Sequence, residues 1–90
     1  MADDRFPEEY DGGQLLGVNG RGAPVYYDEA GRATFEGMAT VDGVVGRENE
    51  RPVADGSTVE DLVDDTRERA GWTWLSDFAK SHLPVGDDSE

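Results

Sequence analysis

Ninety residues carry 21 aspartates and glutamates against 8 lysines and arginines, a formal net charge of −13 in 9.8 kDa. No cysteine is present, which excludes disulfides and thiolate metal sites as staples for a core that at this size nets only about 3–5 kcal/mol. No apolar run of about 18 residues exists to span a bilayer, and the acidic start MADDRFPEEYDGG lacks the apolar stretch of a secretory leader.

Residues 1–13 read as a flexible acidic arm, with Pro7 and the pair Gly12 and Gly13 as breakers and Phe6 and Tyr10 available to dock. A single domain is expected over 14–83, followed by a short acidic tail, 84–90. Leu15, Leu16 and Val18 make a first strand; NGRG is a turn; Val25, Tyr26 and Tyr27 make a second strand. DEAGR, residues 28–32, predicts a hairpin loop with Gly31 at the position of positive φ. ATFEGMATV alternates Ala33, Phe35, Ala39 and Val41 against Thr34, Glu36, Met38 and Thr40, with Gly37 placed for a bulge. Asp42-Gly43 signals another tight hairpin before Val44 and Val45.

The period then changes. Ser57 with Glu60 forms a capping box, and Val59, Leu62, Val63, Thr66 and Ala70 recur at helical spacing before Gly71 stops the helix. A second helix is expected over 73–83, with Leu75, Phe78, Ala79, His82 and Leu83 on one stripe and Pro84 closing it. Strands first and helices second predict an α+β domain: a three- to four-stranded antiparallel meander packed against two C-terminal helices.

Three glycines, Gly17, Gly20 and Gly22, invite comparison with a phosphate cradle. Their order is G-x-x-G-x-G rather than G-x-G-x-x-G, and a strand signature follows instead of a helix whose amides would face an anion. The lysine of a P-loop is missing as well. An EF-hand fails in the same way: Gly56 at loop position 6 puts Arg51 and Leu62 at ligand positions, and Gly31 puts Tyr26 at the first. His82 is the single histidine, so histidine triads and multi-histidine metal sites are out, and a packing or C-capping role is expected for it. No cofactor and no resident metal are expected.

A charge of −13 exceeds the magnitude of about 2–8 that suits a small domain in dilute buffer. Yet 36% of residues are hydrophobic, including Trp72, Trp74 and three tyrosines, which argues for a fold. With Lys80 the single lysine beside seven arginines, the composition points to a salt-adapted cytoplasm, where a Debye length of about 3 Å in molar salt makes crowded carboxylates tolerable. The other reading is an ordinary acidic protein with a basic partner. Arg5, Arg21, Arg32, Arg47, Arg51, Arg67 and Arg69 are scattered rather than gathered in a basic stripe, which weighs against nucleic acid.

RPVADGSTVEDLV, residues 51–63, resembles the strand-to-helix junction of ubiquitin-like β-grasp carriers. Those carriers need further strands after the helix and a terminal Gly-Gly, so the resemblance implies a β-grasp variant without their activity. The whole chain, with EEYDGGQLLGVNGRGAPVYYDEAGR and its low lysine, resembles small acidic haloarchaeal proteins. That likeness implies a saline habitat and a cytoplasmic location, and no activity.

The resulting expectation is a non-enzymatic protein-interaction module, monomer or homodimer, with Tyr26, Tyr27, Trp72 and Trp74 as contact residues. The alternative is a nucleic-acid-associated regulator, which needs Arg21, Arg32 and Arg47 to converge on one face. An enzyme is the third reading, because no nucleophile, base and orienting group can be picked out together.

Overall fold

A computed structural model describes residues 6–83. In chain order the elements are β1 (Glu9–Tyr10), β2 (Gly13–Asn19), β3 (Pro24–Asp28), β4 (Ala33–Thr40), β5 (Gly43–Pro52), α1 (Val59–Arg69), β6 (Trp72–Leu75) and α2 (Asp77–Lys80). All strand pairs are antiparallel, in the order β1-β2-β3-β4-β5, with β6 added to β2. The α+β class and the meander hold; the sheet has six strands rather than three or four.

β2 carries two neighbours on one side. Its first residues pair with β1, Glu9 opposite Gln14, and its last residues pair with β6, Val18 opposite Trp74. Across from β3, Leu16 is an extra residue between the pairs Leu15↔Tyr26 and Gly17↔Val25. This bulge resets the alternation, so that Val18 returns to the face of Leu15 while Leu16 stays on the other, and with both faces covered β2 is buried as a nearly continuous run.

Each face of the sheet has its own core. Leu15, Val18, Tyr26 and Phe35 gather with Phe6, Tyr10, Val44 and Trp74 on one side. Leu16 and Val25 meet Val59, Val63 and Ala79 on the other, with Tyr27, Leu62, Trp72, Leu75, Phe78 and Leu83 around them. Residues 6–13, set apart in the sequence as an arm, lie against the first cluster: Phe6 is 5% exposed, and the Leu15 amide donates to the Glu8 carbonyl at 2.9 Å.

The sheet curls until its first and fifth strands approach. The Tyr10 hydroxyl donates to the Gly46 carbonyl at 3.0 Å. Arg47 lies over the Phe35 ring, 4.1 Å from its centroid, and donates to Asp11, Asp28 and Glu50. Hydrogen bonds from the guanidinium to Asp11 and Glu50 hold its pKa above the ordinary arginine value.

Helix α1 starts one residue later than the sequence indicated. Thr58, not Ser57, is the N-cap: its side chain accepts from the Asp61 amide while Asp61 accepts from the Thr58 amide. Val59, Val63 and Thr66 are the buried stripe, and Gly71, at φ +79°, ends the helix as expected. In the loop before β4 the positive φ falls on Arg32 (+55°) rather than on Gly31, whose amide is held by Asp28. The bulges flanking Gly37 insert their extra residues into β5, where Gly46 and Asn49 take positive φ, and not into β4.

The largest correction concerns 72–83. WTWL is a strand, and the following helix spans only Asp77–Lys80. Ser76 joins the two: its amide and hydroxyl donate to the carbonyls of Leu16 and Leu15 at the bulge, and the same oxygen caps α2 by accepting from Ala79. Long-range pairing to β2 thus outweighs the local helical stripe.

Candidate functional site

Of the aromatic residues singled out from the sequence, Tyr26 lies within a core, and Tyr27, Trp72 and Trp74 are half-buried against one. Tyr26 is fully buried between Tyr10 and Phe35, with ring centroids 5.4 and 5.5 Å away. Its hydroxyl donates to the Pro7 carbonyl at 3.0 Å, and burial, with a smaller contribution from Tyr10, pushes its pKa up to about 12. Tyr27 and Trp72 pack on the helix side, where the Trp72 indole donates to the Val63 carbonyl at 2.9 Å. Trp74 joins the opposite cluster. The two tryptophans face apart because of a bulge at Thr73, without which residues two apart in a strand would share a face.

The NGRG turn is closed on itself and on the end of α1. Asn19 Oδ1 accepts from the amides of Arg21 (2.9 Å) and Ala23 (3.1 Å), the Asn19 carbonyl accepts from Gly22, and the Gly20 amide donates to the Gly71 carbonyl. With these four amides engaged, the turn offers no nest to a phosphate. The glycine at 20 has a packing reason instead: a Cβ there would strike the Ala70 carbonyl oxygen.

Beside this turn α1 leaves part of β4 and β5 uncovered, and an open cleft of about 750 Å³ results, lined by Arg21, Glu36, Asn49, Glu50, Arg51, Arg69 and Ala70. At its base the Glu36 carboxylate accepts from Arg21 (2.8 Å), Asn19 (3.2 Å) and Asn49 (3.0 Å). Arg69 is held by Asp65 through Nε and Nη2. The guanidinium of Arg51 has no hydrogen bond or ion pair among the described residues. Nothing in the order of residues announces this grouping, since residues 21, 51 and 69 belong to a turn, a strand and a helix end.

Arg21, Arg32 and Arg47 do not converge: Arg21 pairs with Glu36 at the cleft, Arg32 with Asp55, and Arg47, over the Phe35 ring, with Asp11, Asp28 and Glu50. Among the described residues no group of acidic residues and histidine could hold a metal ion, and no helix is long and apolar enough to cross a membrane.

The exposed large apolar side chains lie together at the tip of the β4–β5 hairpin. Met38 and Val45 are cross-strand partners, 50% and 49% exposed, and Val41 at the turn is fully exposed. Nearer the middle of β5 the edge is blunted by the bulges at Gly46 and Asn49, and by Tyr10 crossing to Gly46. Comparison of the chain with protein-family models, curated proteins and solved structures finds no match.

Proposed function

We propose that this chain is a non-enzymatic protein-interaction module that docks through the tip of the β4–β5 hairpin. One observation carries the reading: Met38, Val41 and Val45 expose apolar surface together at the far end of a hairpin, in a chain whose surface is otherwise crowded with carboxylates. An apolar patch with a polar rim is the usual form of a contact surface. The occupant is a different protein offering an apolar pocket with basic residues at its margin. A second copy would bring another −13 to the contact, and like charges oppose such an encounter. The bulged remainder of β5 is poorly suited to accept a partner strand, so the tip rather than the edge makes the contact.

The test is a photo-crosslinking amino acid placed at position 41, with a control at Glu68, an exposed position of α1. The expected outcome is one defined basic partner captured from position 41 and not from 68, displaced by excess unlabelled chain and lost in Met38→Ser/Val45→Ser. Capture of a second copy of the chain alone, or equal capture from both positions, would refute the reading.

A further inference from the structure

We infer that the cleft between the β2–β3 turn, β5 and the end of α1 binds a small ligand bearing more than one oxyanion group, carboxylate or phosphate. Arg21, Arg51 and Arg69 line this cleft against Glu36 and Glu50, giving one positively biased wall on a molecule of net charge −13. Both glutamates already have partners: Glu36 is held by Arg21, Asn19 and Asn49, and Glu50 by Arg47.

Donors therefore remain, while each glutamate is ion-paired with an arginine. A guanidinium has five N–H donors; Arg21 gives one side-chain bond to Glu36, Arg69 gives two to Asp65, and that of Arg51 gives none among the described residues. Planar guanidinium forks match the paired oxygens of carboxylate and phosphate and bind them through charge-assisted hydrogen bonds. These donors come from three separate elements, so a ligand with two or more anionic groups meets them better than a single small ion. The cleft, about 750 Å³, falls within the usual range of small-molecule sites, about 300–1,000 Å³. Its Asn49, whose side-chain nitrogen is fixed on Glu36, keeps its carbonyl oxygen for a donor on the ligand.

The backbone positions of the three arginines are secured independently of any ligand. Asn19 and Gly71 pin the turn that carries Arg21, Arg51 sits opposite Thr34 in the sheet, and Arg69 is in the last turn of α1. Arg51 can thus be altered with little effect on the fold, because its side chain is exposed and bonded to nothing described.

The experiment is an NMR titration of the labelled chain with citrate and, separately, with inorganic pyrophosphate, at constant ionic strength and with potassium chloride as the control. Saturable shifts are expected at Arg21, Asn49, Arg51 and Arg69. Arg51→Gln is expected to bind about tenfold more weakly, the size of one lost charged hydrogen bond. Arg67→Gln, on a residue paired with Asp64 outside the cleft, should titrate like the parent. Saturation by citrate alone identifies a polycarboxylate ligand and by pyrophosphate alone a phosphate ligand. The inference falls if neither saturates by roughly 20 mM, if chloride gives the same shifts, or if Arg51→Gln binds as tightly as the parent.

Discussion

Asn19 Nδ2 donates to Glu36 Oε2 at 3.2 Å, joining the β2–β3 turn to the middle of β4 through a residue that is itself fully buried. The same side chain accepts from two turn amides. Asn19→Ala removes the oxygen that accepts from both amides and one of the three side-chain donors on Glu36. A loss of about 2–4 kcal/mol is expected, read by chemical denaturation. Asn19→Asp keeps the turn acceptors but sets a carboxylate against Glu36, so it should also loosen the cleft, seen as altered shifts at Arg21 and Asn49.

Two glycines of that turn separate steric crowding from backbone strain. At Gly20 a Cβ meets the Ala70 carbonyl, whereas at Gly22 it meets open space but the φ of +87° disfavours any other residue. Gly22→Ala should cost about 1–2 kcal/mol. Gly20→Ala should cost more, about 2–3 kcal/mol, by parting the turn from the end of α1. Equal thermal midpoints for the two variants would contradict the close approach.

Phe6 and the segment that follows it complete the core on the side away from the helices. Phe6→Ala should destabilise by about 3 kcal/mol or more, as for other buried phenylalanines, measured by denaturant midpoint. A variant indistinguishable from the parent would show that residues 6–10 do not dock.

Tyr26 makes stability fall at high pH. In the unfolded chain its phenol titrates near 10, and in the fold at about 12, chiefly because it is buried and secondarily because of Tyr10. Below the lower value both states keep the proton and the contribution is complete. Between the two the unfolded chain releases it first, so the folded state loses ground as pH rises. The change amounts to roughly 2–3 kcal/mol once both values are passed. Denaturation at about pH 9 and at about pH 12 should show this slope, and Tyr26→Phe should reduce it.

Salt should act in the opposite sense to its usual effect on isolated ion pairs. Seven arginine–carboxylate pairs are recorded among the described residues, most with an exposed carboxylate, and such pairs are individually weak. The net −13 dominates. The melting temperature is therefore expected to rise between about 0.05 and about 2 M potassium chloride, and an unchanged value would remove the case for salt adaptation.

Much of the architecture was legible wherever local pattern and pairing agree. The turn at NGRG, the strands on either side of it and the buried stripe Val59, Val63, Thr66 follow directly from glycine placement and from spacing. What was not legible depends on contacts between distant residues. Trp72–Leu75 becomes a strand because residues 17–19 offer it an open edge. The polar end of β5, RENERP, hides a strand because bulges at Gly46 and Asn49 break its alternation. The cleft was invisible for the same reason: Arg21 and Arg51 come within one wall by folding, and nothing in their spacing announces it.

Both ends of the described chain are fastened to the same short strand. Residues 9–10 take one half of the side of β2 that faces away from β3, and residues 72–75 take the other half. During synthesis, therefore, the hairpins can assemble early, but residues 17–19 keep naked amides and carbonyls until residues 72–75 have left the ribosome. A nascent chain stalled before Trp72 would display that gap as a ready surface for chaperone capture or for mispairing with a neighbour.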